Sequence, residues 1–260
     1  MSSTISITCK DLTVGYADKK RTITVLSDIN FEINSNSFNA ILGQNGIGKS
    51  TLLKTLTKII TPISGEIHIE GKDLQRYDIK DLSKLVSTVL TEKLPENNLT
   101  VYEIIALGRY PYTNWIGKLS QNDQHIIEKA IEFTHLKDYS NVLFHELSDG
   151  LKQRTLIARA LSQDTPIIIL DEPTSHLDIL NKIETFNLLQ KLSKELEKTV
   201  LISTHELQLA LDYTDNLLLV NSKGIATNTP EIVIQNNLLD SLFEDQNFGY
   251  NSNERKFYFK

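Results

Sequence analysis

The sequence has a single cysteine, Cys9, among its 260 residues. An intramolecular disulfide is therefore impossible, and a multi-cysteine zinc or iron–sulfur site is excluded. Cys9 reads as a small residue near an N-terminal strand. Excess positive charge is lacking too: 27 Lys and Arg stand against 33 Asp and Glu, a formal net charge of −6. A chain that works mainly on nucleic acid needs a basic excess, at least locally, so no nucleic-acid partner is expected. No stretch approaches the ~20 apolar residues that span a bilayer. Met1 to Gly15 lacks the basic-then-apolar pattern of a signal peptide, so any tie to a membrane is expected to run through a partner. Internal repeats and long low-complexity linkers are also missing. What remains is a globular composition, 40% apolar and 23% charged, long enough to bury a full core.

Residues 4–8 alternate as an edge strand would, and 22–33 are largely strand-like. Phe38 to Leu42 is a short apolar strand running into glycine. A helical pattern covers Leu52 to Ile60, stopped by Pro62 and Gly65. Glu66 to Glu70 alternates again, and Leu85 to Leu90 reads as a strand. Helical stretches at 101–107 and 122–135 mark residues 94–160 as a mostly helical subdomain. Ile167 to Leu170 is a continuous apolar run, as in a strand buried on both faces. A long helix over 179–196, a strand at Thr199–Ser203, a short helix at 206–213 and a strand at 217–220 follow. Residues 228–260 form a less legible extension rich in Asn and aromatics. Strands alternating with helices predict an α/β domain with a substantially parallel sheet. The extended N-terminal stretches add an antiparallel layer.

Residues 43–50 read Gly-Gln-Asn-Gly-Ile-Gly-Lys-Ser, the full GxxxxGK[ST] pattern between an apolar strand and a helix. Gly43, Asn45, Gly46 and Gly48 lie in a loop that bends tightly around an anion. Its backbone N–H groups, with those of the helix start, point at phosphate oxygens. Lys49 spans the β and γ phosphates, Ser50 offers its hydroxyl to Mg²⁺, and Thr51 hydrogen-bonds the α phosphate. ATP with Mg²⁺ is the expected ligand. A second strand ends in Asp171-Glu172. Asp171 faces the metal through water, and Glu172 serves as general base or positioner of the attacking water. Two acids after a buried strand are costly if unused. A third strand end supplies His205, suited to hydrogen-bonding the γ phosphate and the attacking water. His68, His125, His135 and His145 have no such context, and His176 lies in the loop beyond Glu172.

The segment Leu147-Ser-Asp-Gly-Leu-Lys-Gln-Arg154 resembles the LSGGQxQR signature of ATPase subunits of ABC transporters. Asp149 replaces its first glycine and Leu151 its first glutamine. Thr174-Ser-His-Leu-Asp178 is similar to the D-loop and Ser203-Thr-His205 to the switch histidine of that family. The motifs follow in the family's order, and the resemblance covers about residues 4–227. It implies one ABC-type P-loop NTPase domain over 1–260, with a RecA-like core, an N-terminal antiparallel β subdomain and an inserted helical subdomain. It also implies a head-to-tail homodimer, in which Ser148 and Gly150 of one copy close over the γ phosphate held by the other. Tyr16 stands where the family stacks an aromatic ring on adenine. Thr91 falls at the family's metal-contacting glutamine, with Glu92 beside it. Asp149 must then point its carboxylate away from the triphosphate.

Ala106-Leu-Gly-Arg-Tyr-Pro-Tyr112 resembles the importer branch that takes up siderophore-bound iron, haem or vitamin B12. In that branch the segment lies near a groove receiving a permease helix, and Tyr110, Tyr112 and Trp115 suit such a contact. The resemblance implies ATP hydrolysis powering import through a polytopic permease, at the cytoplasmic face of the inner membrane, fed by an extracytoplasmic binding protein. The rivals are a soluble ABC ATPase for iron–sulfur cluster assembly, an export ATPase, and a weakly hydrolysing nucleotide-gated module. No long coiled-coil insertion separates the nucleotide motifs, which disfavours a chromosome-organising relative.

Overall fold

The computed structural model describes residues 4–18, 21–90, 98–114, 117–221, 224–243, 248–251 and 256–259. The chain divides into two compact units, Met1–Arg76 with Thr199–Lys260, and Tyr77–Lys198.

The first unit opens with β1 (Ile5–Ala17), β2 (Thr22–Asn34), β3 (Phe38–Leu42), α1 (Lys49–Leu56), β4 (Ser64–Ile69) and β5 (Lys72–Asp73). β2, β1, β4 and β5 form an antiparallel sheet in that order. β1 is longer than the expected 4–8 strand and lies inside this sheet, not at its edge. The reason is a bulge: the register slips between Cys9 and Leu12, where Asp11 has a φ of 46°. One inserted residue switches the inward parity from Ile7 and Cys9 to Leu12 and Val14, all buried. A period-2 reading breaks off there. Burial holds the Cys9 thiol well above its usual pKa, so it is inert packing.

α1 buries Leu52, Leu53 and Leu56 completely. Each contributes roughly 1.5–3 kcal/mol relative to exposure, and together they seat the helix that carries the loop before it. α1 starts at Lys49 and stops at Leu56, short of the expected Ile60. Lys58 takes a left-handed φ of 62°, a helix stop without the usual glycine.

The second unit contains α2 (Ile79–Leu82), β6 (Val86–Val89), α3 (Val101–Ala106), α4 (Gln121–Phe133), α5 (Asp149–Ser162), β7 (Ile167–Asp171) and α6 (Ile179–Lys194). β6 and β7 run parallel, with Val89 opposite Leu170. Capping boxes start α3 and α4: Thr100 with Glu103, and Ser120 with Asp123. α3 and α4 both pack on α5.

The chain then returns to the first unit with β8 (Thr199–Thr204), α7 (Leu207–Tyr213), β9 (Asn216–Asn221), β10 (Gly224–Asn228), α8 (Pro230–Gln235) and an antiparallel hairpin of β11 (Phe248–Asn251) and β12 (Lys256–Phe259). β3 lies between β8 and β9, parallel to both, and β10 runs antiparallel to β9. β3 and β8 are buried along their whole length, which explains why they are largely apolar and do not alternate. Asn39 sits inside β3 because its amide is used: Nδ2 donates to the carbonyl oxygens of Ser37 and Val200, and Oδ1 accepts from Asn216.

Candidate active site

In the first unit, β3 ends at Leu42 and the chain turns through residues 43–48 into α1. Gly46 and Gly48 take φ values of 78° and 118°, conformations that glycine adopts without strain. Lys49 is the first residue of α1, and its side chain folds back under the loop. Its Nζ donates to the carbonyl oxygens of Gly43, 2.9 Å, and Gln44, 3.2 Å. The ammonium is nearly buried, while Asn45 and Gly46 are exposed and Ser50 is half-buried. The arrangement is a cationic cup: a buried ammonium beneath a loop whose crest faces solvent, leading into a helix N-terminus.

Two more expected residues belong to this unit. The Tyr16 hydroxyl lies 3.3 Å from that of Thr51, which puts the ring beside the first turn of α1, with 51% of its surface exposed. His205 follows β8. Because Leu42 of β3 pairs with Thr204 of β8, Gly43 and His205 leave neighbouring strands at the same end. His205 Nε2 is 3.1 Å from Glu206 Oε1. One contact had no signal in the sequence: Gln44 Nε2 donates to the Leu242 carbonyl oxygen, 2.8 Å, tying the loop to the C-terminal extension.

In the second unit, β7 delivers Asp171, buried at the strand end, and then Glu172, half-buried. Glu172 has a φ of 46°, a left-handed backbone that costs a non-glycine residue about 1 kcal/mol or more. Beyond it, Asp178 caps α6, accepting hydrogen bonds from the Asn181 N–H and side-chain amide at 2.8 and 2.9 Å. These bonds hold the Asp178 carboxyl below its usual range.

Ser148 is the N-cap of α5, accepting from Leu151 N–H. Asp149 is then the first helical residue, exposed to solvent, where a carboxylate is favoured by the helix dipole. The replacement of glycine by Asp149 thus has a local benefit. Gly150 faces α6: the Asn181 amide occupies the place where a Cβ on residue 150 would stand. Arg154 pairs with Glu184 across the same two helices. Thr91, its neighbour Glu92 and Trp115 lie outside the described residues. Of the two tyrosines expected beside Trp115 at a permease contact, Tyr110 is 76% exposed and Tyr112 is partly covered by the Arg109 guanidinium, 4.0 Å from the ring centroid.

With this geometry in hand, comparison with known proteins is specific. Residues 26–175 match the family model described as ABC transporter. An ABC transporter ATP-binding protein of Methanocaldococcus jannaschii is 38% identical over 242 residues, covering 93% of this chain and 82% of that protein. The iron(3+)-hydroxamate import ATP-binding protein of Bacillus subtilis is 32% identical over 237 residues, covering 88% of this chain and 87% of its own length. Among solved structures, a dimeric ATP-binding cassette in a post-hydrolysis state bound to ADP and phosphate aligns with a TM-score of 0.74 at 26% identity. The alignment covers 86% of this chain and 98% of that one.

Proposed function

The chain belongs to the ABC transporter family of ATPases, and from that premise we propose that its ATP hydrolysis drives import of an iron complex of the siderophore class through a membrane permease. The observation that carries this reading is the likeness, over most of both chains, to an iron(3+)-hydroxamate import subunit.

In this reading the 43–51 loop holds the triphosphate, using Gly43, Asn45, Gly46, Gly48 and Thr51, with Lys49 across the β and γ phosphates. The Tyr16 ring stacks on adenine. Glu172 accepts a proton from the attacking water as its oxygen bonds to the γ phosphorus and the bond to ADP breaks. His205 hydrogen-bonds the γ phosphate and orients the water. Ser148 and Gly150 come from a second copy and close over the γ phosphate, so that nucleotide joins two copies and hydrolysis releases them.

Ser50 and Asp171 supply a hydroxyl and a carboxylate, the hard oxygen donors that suit Mg²⁺. No cluster of three or more His, Cys, Asp or Glu suited to a metal occurs among the described residues. A hydroxyl and a carboxylate would hold such a cation together with phosphate oxygens. Mg²⁺ held there would supply positive charge against that developing on the phosphates. Thr91 is the remaining candidate metal contact.

The exposed surface around Leu107 and Tyr110 is the face offered to the permease. No helix among the described residues is long and apolar enough to cross a membrane; in this reading the tie to the membrane is the permease, at its cytoplasmic face. An extracytoplasmic binding protein hands cargo to the permease, and cargo never touches this chain.

The test is uptake of ferric hydroxamate, haem and vitamin B12 by cells lacking this gene. Loss of ferric hydroxamate uptake, restored by the wild type and not by Glu172→Gln, is the expected result. Intact uptake of all three overturns the reading.

A further inference from the structure

The stretch Leu107–Tyr112 is a 3₁₀ segment between α3 and α4, and it is fastened to the far end of the signature helix. Gly108 lies so close to α5 that a Cβ there would collide with the Ser162 hydroxyl and the Arg159 carbonyl oxygen. The Ser162 hydroxyl in turn donates to the Ile105 carbonyl oxygen, 2.6 Å. Arg109 is 3% exposed. Its Nε donates to Asp123 Oδ1 at 2.9 Å, its Nη1 to the Ser162 carbonyl oxygen at 2.8 Å, and its guanidinium covers the Tyr112 ring. Asp123 is itself fixed in the Ser120 capping box that opens α4. One guanidinium therefore joins the last residue of α5, the first turn of α4 and the segment carrying the exposed Tyr110.

Arginine is rarely buried so completely. A buried ion pair often stabilises no more than well-packed apolar residues of the same volume, so stability is a weak reason for the choice. Geometry does: the planar fork meets two acceptors and a ring face at fixed angles, which no aliphatic side chain or lysine reproduces. At the opposite end of α5, roughly 20 Å away for a helix of this length, Ser148 caps the helix that carries the signature segment.

We propose that Arg109 is a positioning residue that welds the exposed Leu107–Tyr110 surface to the C-terminal end of α5. A displacement of Ser148 by nucleotide is thereby delivered to the permease-facing surface as motion of one rigid piece. This rests on the reading of that surface given above. Arg109 touches neither nucleotide nor cargo. Its role is to keep hydrolysis and transport in step.

Arg109→Lys keeps the charge and loses the fork. Asp123→Asn keeps the shape and loses the charge partner, and it serves if the first variant does not fold. Each is measured twice: as the detached chain, for kcat and KM of ATP hydrolysis, and as the complete transporter in liposomes, for ferric hydroxamate moved per ATP hydrolysed. The detached chain is expected to keep both constants within about twofold of wild type, while the transport ratio falls roughly tenfold, as for a lost coupling free energy of ordinary size. An unchanged ratio, or a loss of hydrolysis by the detached chain that merely follows a lower melting temperature, overturns the positioning role. If the wild-type transporter moves no cargo, the functional reading fails first and this inference with it. Transport by wild type with an unchanged ratio in both variants sinks the inference alone.

Discussion

The phosphate loop and the signature helix are both expected to meet nucleotide, yet they are built in opposite ways. Residues 43–51 are consecutive, and the loop is shaped mainly from within, by two glycines at positive φ and a lysine bonded to carbonyl oxygens five and six residues back, although Gln44 and Thr51 also meet Leu242 and Tyr16. The signature helix draws its geometry from residues far away in sequence. Gly150 is set by Asn181, Arg154 by Glu184, and Ser162 by Arg109 and Ile105. A local site carries its chemistry in its own few residues. A site held by distant partners also reports the state of those partners, as a moving part must.

Breaking the loop tests the first half of this contrast. Lys49→Ala is expected to cut ATP hydrolysis at least about a hundredfold, the scale of one removed charge-stabilising donor. The melting shift should be the smaller effect, since the ammonium bonds the Gly43 and Gln44 carbonyl oxygens of its own loop. Near-normal phosphate release would refute the cradle.

The largest effect on folding is expected in the other region. Asp123→Asn removes the charge partner of a buried guanidinium, at a cost of about 3 kcal/mol, read as a melting shift of several degrees. The effect carries a pH signature. Burial pushes the Asp123 carboxyl up, but the Ser120 hydroxyl and N–H and the Arg109 guanidinium outweigh it and hold it below its ordinary range. A lowered carboxylate stabilises the fold above the ordinary Asp value of about 3.9, and that contribution is lost as pH falls through the lowered folded value. Wild type and Asp123→Asn should melt well apart at pH 7 and converge below about pH 4. A constant gap would place the stabilisation elsewhere.

Ser148→Ala sharpens the contrast, since this residue has a structural task besides the one proposed for it. Loss of the N-cap should cost about 1 kcal/mol of stability. ATPase activity should fall further than that loss explains, and only at protein concentrations where two copies associate. Activity that tracks stability alone would leave Ser148 a cap. The smallest effect is expected for Gln44→Ala. It removes the bond to Leu242, worth about 1 kcal/mol. Faster amide hydrogen exchange around residues 238–243, with little change in melting, would mark that tie. Unchanged exchange would show it to be dispensable.

Much of this was legible in the residues alone. The loop and the Asp171-Glu172 strand end are contiguous patterns whose expected chemistry follows from backbone conformation and side-chain type, whereas the LSDG segment is legible only through its resemblance to the ABC signature. The buried runs Phe38–Leu42, Ile167–Leu170 and Thr199–Ser203 announced central strands. β1 was misjudged because the Asp11 bulge reverses its parity, and α1 overran because Lys58 stops it without a glycine. The hairpin of β11 and β12 stayed hidden, since polar and aromatic residues carry little periodic signal.

The sequence by itself thus determined the family and where a phosphate cradle is expected, because the glycine turn and the Lys49 bonds beneath it lie within one short stretch. Tertiary structure alone decided that Arg109 is buried while Tyr110 stands exposed beside it, that Tyr16 meets Thr51, and that Leu242 meets Gln44. Those choices depend on which distant groups packing brings within a few ångströms, and no short stretch of sequence carries that information.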